Sequence, residues 1–429
     1  MAGTKNPSEQ ALTTEPVAGN GLLDRRLFLT QSFILAGAGS LPAVAGDITA
    51  PLTFPEWMTR PGAPLSGYGS PSRHELGVVR TTLSTPLSAA IGASSTPLES
   101  LQGRITPNGL HFERHHSGIP DIDPAHHALK IHGDVARPLA FSMNNLLRYP
   151  MTSGFYFLEC SGNGFLNLTE QPIDGTCGAL NGLISCSEWT GVKLSVLLEE
   201  AGIDPEATWL IAEGADGASL VRSIPLAKAM DDVLIALFQN GERIRPEQGY
   251  PMRLFVPGWE GNLSVKWLHR LKVSRQPAQS RSETATYTDL MPDGRAEQFT
   301  FTMGVKSVIT HPSGKMTLPD PGTYEITGIA WSGHGAIAGV QVSADGGASW
   351  ADAALDEPIL PKCVCRFRIP WRWSGQPATL MSRAIDDQGN VQPARAAFRK
   401  RYGQSNMYHF NGVLAWAVAA DGRVSNVYA

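Results

Sequence analysis

The chain has 429 residues, 42% of them hydrophobic, which is enough to bury two or three domain cores at roughly 150 residues per domain, so general disorder is excluded. The 44 glycines and 31 prolines favour a β-rich, loop-rich protein over a helical bundle. The net charge is -4 and no run of basic residues occurs, which argues against a nucleic-acid partner.

The first segment, residues 1–45, has the pattern of a twin-arginine export signal. Arg25-Arg26 precedes an apolar stretch, and Ala43-Val44-Ala45 matches the small-residue pattern of a signal-peptidase site. Because the apolar stretch is far shorter than the ~20 residues that span a bilayer, we expect cleavage and a location in the periplasm, with no membrane span. The alternative is a disordered tail in which the arginine pair is accidental.

The next two segments differ in pattern. Residues 46–105 are rich in Pro, Gly, Ser and Thr and show little periodicity, which predicts an extended N-terminal arm. Residues 106–290 mix strand and helix patterns and are predicted to form one domain. Its predicted strands cover residues 128–132, 155–160, 233–238 and 263–267, and an amphipathic helix covers residues 192–201 with Gly202 as its stop.

Residues 295–415 are all β in pattern. Short predicted strands recur at residues 324–326, 338–342, 364–369 and 379–384, and Asp345-Gly346-Gly347 is a hairpin signal. This spacing predicts an immunoglobulin-like β-sandwich, followed by a C-terminal tail at residues 416–429. The predicted fold class is therefore α+β, with a mixed α/β, β-rich domain followed by a sandwich.

The five cysteines exclude several kinds of site. None lies in C-x-x-C or C-x-x-C-H spacing, which argues against a c-type haem, an iron–sulfur cluster or a zinc ribbon in this chain. Cys363 and Cys365 are two apart in a predicted strand, so both are expected to pack on one face against the core. Cys177 and Cys186 are open to two interpretations, a disulfide outside the cytoplasm or two separate thiols.

Cys160 stands at the end of a predicted strand and before a turn, Ser161-Gly162-Asn163-Gly164. A cysteine at such a position is open to three interpretations: a soft metal ligand, a nucleophile or an inert buried side chain. Six of the eleven histidines also cluster in the sequence, but no zinc-ligand spacing fits them well. They are His111, His115, His116, His126, His127 and His132.

The residues around Cys160 resemble a family motif. Cys160-Ser161-Gly162-Asn163 is similar to the C-[AS]-G-N motif of sulfite oxidase-type molybdopterin oxidoreductases, in which the cysteine is the single protein ligand of molybdenum. Further blocks resemble that family in the same order, over about residues 105–415. They are Phe112-Glu113-Arg114-His115-His116, Glu213-Gly214-Ala215-Asp216, Tyr250-Pro251-Met252-Arg253, Val256-Pro257-Gly258, Ser264-Val265-Lys266-Trp267-Leu268 and, in the sandwich, Val340 through Gly347.

The resemblance implies one molybdenum-molybdopterin per chain and no haem in this chain. It makes residues 106–290 the molybdopterin-binding domain and residues 295–415 an immunoglobulin-like dimerisation domain. Cys160 would be the metal ligand, and Cys160, Arg114 and Tyr287 the catalytic residues. The cofactor-binding residues would be Phe112, Arg114, His116, Cys160, Asp216, Gln248, Arg253, Ser264, Val265 and Lys266. Among these, the cations Arg114, Arg253 and Lys266 suit an anionic phosphate.

Four positions depart from the sulfite enzymes of that family. Phe165, Leu263 and, in a poorer alignment, Asn411 stand where they have arginines, and Gln248 stands where they have a histidine. Fewer cations weaken the hold on a free dianion such as sulfite.

This combination resembles the sulfane dehydrogenase subgroup of thiosulfate oxidation. The resemblance implies molybdenum-dependent oxidation of sulfane sulfur on a carrier-protein cysteine, a cytochrome c subunit as electron acceptor, and a homodimer within a heterotetramer. One alternative is a sulfite dehydrogenase that reduces a separate cytochrome c with electrons from free sulfite. A second alternative is a non-catalytic scaffold subunit.

Overall fold

The computed structural model of the chain describes residues 16–24, 54–85, 88–403 and 407–429. The twin arginine and the cleavage pattern predicted at residues 43–45 lie outside the described residues. Within the described ranges, no helix has the length and apolar character that a bilayer crossing needs.

The N-terminal residues contribute short strands and single-turn helices. Residues 54–77 are exposed throughout, as expected for an extended arm. The arm prediction is wrong beyond them, because a hairpin follows and its second strand pairs with the strand that carries Arg114. The strands are β1 Pro16–Ala18, β2 Leu22–Leu23, β3 Thr81–Thr85, β4 Ser88–Ser95 and β5 Glu113–His115, and the 3-10 helices are Gly19–Gly21, Glu56–Met58, Arg73–Glu75, Leu98–Ser100 and Asn108–Leu110.

The central domain consists of two five-stranded sheets with short helices on their faces and a shared apolar core. Its strands are β6 Ala128–Gly133, β7 Leu139–Ser142, β8 Met151–Glu159, β9 Ile184–Lys193, β10 Trp209–Gly214, β11 Val221–Pro225, β12 Leu234–Gln239, β13 Glu242–Arg243, β14 Arg253–Phe255 and β15 Leu268–Ser274. Its helices are α1 Met143–Leu146, α2 Cys177–Asn181, α3 Leu194–Ala201, α4 Leu226–Asp231 and α5 Arg281–Thr284, with 3-10 turns at Phe165–Leu168, Pro246–Gln248 and Gly261–Leu263.

Most predicted elements of this domain are confirmed. The first sheet has the order β11-β10-β15-β6-β7, and the second has the order β13-β12-β9-β8 with β14 beside β12. Gly202 ends α3 with φ of 72°, a left-handed conformation that glycine adopts without strain. The strand predicted at residues 263–267 is wrong, because Gly261–Leu263 is a 3-10 turn and Trp267 has φ of 52°. The strand begins at Leu268, after the chain has turned around the Arg253 side chain.

A two-stranded ribbon, β16 Asp289–Leu290 and β17 Ala296–Glu297, leads into the predicted β-sandwich. The sandwich has two antiparallel sheets that share one apolar core. Its elements are β18 Lys306–His311, β19 Gly322–Trp331, β20 Ile337–Ser343, β21 Ala351–Asp352, β22 Ala354–Leu355, β23 Cys365–Trp373, β24 Ala378–Asp386, α6 Arg395–Tyr402, β25 Ala415–Val418 and β26 Val424–Val427.

Two described segments near the ends of the chain belong to the sandwich sheets. Residues 416–429 are not a tail, since β25 and β26 complete one sheet of the sandwich by pairing beside β24. At the other end, Leu22 pairs with Trp371 of β23, and Leu22 and Leu23 are buried although they fall in the predicted signal. The strands in these two segments are only two to four residues long, too short to give a recognisable alternation of apolar and polar residues.

A buried ion pair joins the two domains beside Cys160. Glu159, the last residue of β8, lies 3.6 Å from the Lys306 amine of β18, and each side chain is only 1% exposed. The Glu159 carboxylate also accepts hydrogen bonds from Trp331 Nε1 at 2.6 Å and Asn163 Nδ2 at 2.9 Å. Because a charge buried without partners is strongly unfavourable, this carboxylate requires both domains to be packed together.

A second charged cluster lies on the same interface. The His409 ring is 2.8 Å from an Asp289 oxygen and 3.4 Å from a Glu260 oxygen, and both carboxylates are fully buried. Burial alone would lower the pKa of His409, but Glu260 and Asp289 raise it to about 10. The backbone N–H of His409 donates to the Ser161 carbonyl at 2.7 Å, so this cluster also supports the turn after Cys160.

We expect Lys306→Met to lower the free energy of unfolding by about 3 kcal/mol, because it leaves the buried Glu159 carboxylate without its cation. Chemical denaturation of the full chain measures this. Lys315→Met is the matched control: it breaks the exposed Lys315–Asp174 pair and should cost less than about 1 kcal/mol. Equal losses in the two variants would contradict an interdomain role for Lys306.

We expect His409→Gln to destabilise the chain in a pH-dependent way. The folded-state pKa of His409, about 10, lies above the ordinary value near 6.5, so its stabilising effect is full below about pH 6.5 and declines as the pH rises to about 10. The difference in unfolding free energy between wild type and His409→Gln should therefore shrink across that range. The control is His334→Gln, at an exposed histidine, and a constant difference for His409→Gln would refute the linkage.

Candidate active site

A cavity of about 70 Å³ opens at the end of β8. Every site residue predicted from the sequence lines it except Val265, whose side chain is buried in the core of the central domain. The sequence motifs that are far apart along the chain therefore meet around one space. The lining residues are Phe112, Arg114, His115, His116, Leu158, Cys160, Asp216, Leu220, Gln248, Arg253, Gly261, Asn262, Ser264, Lys266, Trp267 and Tyr287.

Cys160 reaches this cavity because the chain turns sharply after β8. The Cys160 N–H donates to the Leu183 carbonyl at 2.9 Å, and its carbonyl accepts from Asn163 N at 2.8 Å. Gly164 closes the turn with φ of 86°, and a Cβ there would lie 3.0 Å from the Phe410 ring. Burial raises the pKa of the Cys160 thiol, while a backbone hydrogen bond at Gly162 and the Arg114 charge oppose that rise.

Arg253 is a buried cation at the cavity wall. It donates to the carbonyls of Gln248 at 3.0 Å and Ser264 at 2.7 Å, and its guanidinium lies 5.2 Å from the Trp189 ring centre. Burial lowers the pKa of Arg253 to about 9. Its Nε–H has no protein partner, which is unusual for a buried donor. Asp216 likewise has a buried carboxylate oxygen without a partner.

Lys266 is held by the protein itself. Its amine donates to the carbonyls of Arg114 and Glu247, both at 3.1 Å, and lies 2.8 Å from His115 Nδ1. Burial and the Arg253 charge hold the pKa of Lys266 well below its usual range. Three partners account for the three donors of the amine. Lys266 therefore fixes the β5 segment beside the cavity in addition to giving it positive charge.

His116 and Tyr287 form a hydrogen-bonded pair at the cavity, with 3.0 Å between His116 Nε2 and the Tyr287 hydroxyl. Burial and the Arg114 charge lower the pKa of His116 to about 4, so its ring is neutral at pH 7. Burial also raises the pKa of Tyr287, which keeps its hydroxyl protonated. The Arg222 guanidinium lies 5.1 Å from the Tyr287 ring and the Tyr408 ring 5.6 Å from it.

The positions that depart from the sulfite enzymes add no cation to this cavity. Leu263 is fully buried in the central core, and Asn411 donates to the Val305 carbonyl at 3.2 Å. Phe165 begins the 3-10 turn after Gly164. None of these three side chains lines the cavity.

Sequence reasoning missed several lining residues. Asn262 donates to Ser161 Oγ at 3.2 Å and to Glu260 Oε2 at 2.8 Å, and its own amide oxygen is buried without a partner. His115 bonds Glu113 at 3.0 Å, and Glu113 in turn pairs with Arg80. Asn262 lies beside the turn after Cys160 because Glu159 and Glu260 form a parallel β-bridge. Local sequence patterns do not predict that bridge, although Gly261-Asn262 is a turn signal and predicts a loop.

These residues fit a molybdopterin cofactor. The cavity offers one thiol, buried positive charge and an unpartnered guanidinium N–H, which match a soft metal and an anionic pterin phosphate. In the part of the chain that the structure describes, no three His, Cys, Asp or Glu side chains are placed to hold a metal ion, so the clustered histidines do not converge. A metal at Cys160 would depend on the cofactor for its other ligands.

Comparison with known proteins also supports a molybdopterin site in this cavity. Residues 116–282 match the family model of the oxidoreductase molybdopterin-binding domain, and residues 297–415 match that of the Mo-co oxidoreductase dimerisation domain. The chain is 32% identical over 336 residues to mitochondrial sulfite oxidase of Mus musculus, which covers 72% of this chain and 61% of that protein. It is 31% identical over 360 residues to sulfite oxidase of Gallus gallus, covering 77% of this chain and 75% of that protein.

A solved structure is similar over most of the chain. The crystal structure of the sulfane dehydrogenase SoxCD from Paracoccus pantotrophus matches with a TM-score of 0.86 and 44% identity, over 89% of this chain and 98% of that chain. Both the fold and the sequence lead to one conclusion: the chain belongs to the sulfite oxidase-type family of molybdopterin oxidoreductases, a family of enzymes.

Proposed function

We propose that this chain oxidises sulfane sulfur attached to a cysteine of a carrier protein, with molybdenum bound at Cys160. The observation that carries the proposal is the cavity itself. It has one thiol and the cations Arg114, Arg253 and Lys266, but no cation from the positions at which the sulfite enzymes add arginines. A pocket with fewer cations holds a free dianion less tightly, and it suits a sulfur atom delivered on a peptide.

The cofactor, when bound, supplies a two-electron centre that exchanges an oxygen atom with the sulfur substrate. The side chains around it have separable tasks. Arg253 offers its unpartnered Nε–H to an anionic group of the cofactor, and Asp216 offers a carboxylate oxygen to a donor group. Lys266 keeps the β5 strand in place, so that Arg114 and His116 face the cavity.

Tyr287 and His116 act on the substrate side. The neutral His116 ring accepts a hydrogen bond from the Tyr287 hydroxyl when its Nε2 is unprotonated, which sets the direction of that hydroxyl. Because its raised pKa keeps it protonated, Tyr287 remains a hydrogen-bond donor at neutral pH. Arg114 supplies the positive charge that favours the oxygen-bearing sulfur product over the uncharged sulfane sulfur.

The proposal includes partners and a location. Two electrons per turnover need an acceptor, and the sequence has no C-x-x-C-H haem motif, so we propose a cytochrome c subunit as the acceptor. The similarity to SoxCD supports this, as does the match to a dimerisation domain for a homodimer within a heterotetramer. We also propose that residues 1–45 direct the folded chain to the periplasm by the twin-arginine route.

A sulfite dehydrogenase is the second candidate, and the cavity cations Arg114, Arg253 and Lys266 favour it because positive charge attracts a small anion. The similarity to sulfite oxidases supports the same candidate.

We expect Cys160→Ser to abolish turnover while the chain still folds, because serine keeps the shape of the turn but is a much weaker ligand for a soft metal. The measurements are steady-state rate, molybdenum content and thermal melting of the full chain. Cys177→Ser, at the first residue of α2, is the control and should keep its activity. Near-normal turnover in Cys160→Ser would refute the ligand role.

We expect the purified complex to reduce cytochrome c with a persulfidated carrier protein at a far higher kcat/KM than with free sulfite. The assay compares the two donors on the same molybdenum-loaded preparation, with the thiol form of the carrier as the control. Faster reduction by free sulfite would establish the second candidate instead.

A further inference from the structure

Two thiols from the two domains touch each other in the protein interior. Cys186 lies in β9 of the central domain, and Cys363 precedes β23 of the sandwich. Their sulfur atoms are 3.6 Å apart, and the side chains are 1% and 2% exposed. The sequence offered Cys177 as a partner for Cys186. Among the described residues, the Cys186 sulfur instead contacts the Cys363 sulfur.

We propose that Cys186 and Cys363 form a disulfide that fastens the central domain to the sandwich. A disulfide has sulfur atoms about 2 Å apart, so the pair must close by about 1.5 Å. Two S–H bonds break and one S–S bond forms. The two electrons and two protons pass to an oxidant disulfide, which becomes two thiols, so atoms and electrons balance.

The surroundings favour attack by Cys363. A hydrogen bond from the Cys186 thiol and the positive charge of Arg104 lower the pKa of Cys363, which increases its thiolate fraction. The hydrogen bond with Cys363 and burial raise the pKa of Cys186 well above its usual range. Cys363 is therefore the thiolate that attacks the oxidant disulfide first, and Cys186 then displaces the oxidant's remaining thiol from Cys363.

An oxidant would have to reach the two thiols past one surface segment, residues 101–106. Residues 101–106 cover Cys186, and a small cavity of about 20 Å³ lies between that segment and the thiol. Arg104 and Arg366 hold the segment through hydrogen bonds to backbone carbonyls, from Arg104 to Pro358 and from Arg366 to Gly103 at 3.0 Å. Because Arg104 also acts on Cys363, opening of this short segment would uncover both thiols.

The bond would lie close to the strand that carries the candidate metal ligand. Cys186 is paired across β8–β9 with Phe157, three residues before Cys160. The Phe157 N–H donates to the Lys362 carbonyl at 3.0 Å, directly beside Cys363. A disulfide here would therefore reinforce the interface that Glu159 and Lys306 already form. Since both cysteines lie outside the cavity lining, the inference does not depend on the proposed function.

The test uses the full chain, purified with and without cofactor under reducing conditions and then incubated with oxidised glutathione. Peptide mapping by mass spectrometry under non-reducing, acid-quenched conditions should give a cross-linked peptide pair that contains Cys186 and Cys363. Thermal melting of the oxidised chain should shift upward by several degrees, because the cross-link restricts the unfolded chain. Adding dithiothreitol should reverse both results.

Cys363→Ala should lose the cross-linked peptide and the shift, whereas Cys365→Ser, the neighbouring buried cysteine, should keep both. If Cys363→Ala does not fold, the wild-type peptide map still decides the question. Oxidised wild-type protein in which Cys186 stays a free thiol, forms only a glutathione adduct or pairs with Cys177 would overturn the proposal. The result should be the same with and without cofactor, so failure of this proposal is distinguishable from failure of the proposed function.

Discussion

The placement of the Cys160 thiol depends on how the neighbouring Glu159 carboxylate is neutralised. Glu159 ends a strand of the central domain, but two of its partners, Lys306 and Trp331, belong to the sandwich. Because the Glu159 carboxylate is only 1% exposed, loss of these partners would leave a buried charge uncompensated and destabilise the fold. The turn that presents Cys160 is therefore fixed by contacts between domains, and His409 adds a second contact by bonding the Ser161 carbonyl.

The cations of the cavity differ in how much of their hydrogen-bonding capacity the protein already uses. Lys266 has three protein partners, so it mainly positions the β5 strand and supplies charge. Arg253 keeps one buried N–H free, which makes it the better candidate for direct contact with an anionic cofactor. Burial lowers the pKa of both groups because it disfavours their charged forms. An anion that binds beside them compensates their positive charge and so stabilises the folded chain.

Neutral groups line the cavity beside Arg114. His116 is uncharged at neutral pH because Arg114 and burial lower its pKa, and Tyr287 is kept protonated by burial. Phe165, Leu263 and Asn411 contribute no charge to the cavity lining. The charged side chains of the cavity lining are therefore the cations Arg114, Arg253 and Lys266 and the carboxylate Asp216, next to neutral groups.

The sequence alone determined the two-domain division, the strand that ends at Cys160, the helix stop at Gly202 and the residue types around the cavity. Those features are local, because alternation, turn chemistry and short motifs are set by neighbours in the chain. It did not determine that residues 263–267 turn around Arg253, that residues 416–429 complete a sheet, or that Cys186 meets Cys363. Only the tertiary structure decided these, since they arise from pairing and burial between residues that are distant in sequence, and local patterns carry no information about such contacts.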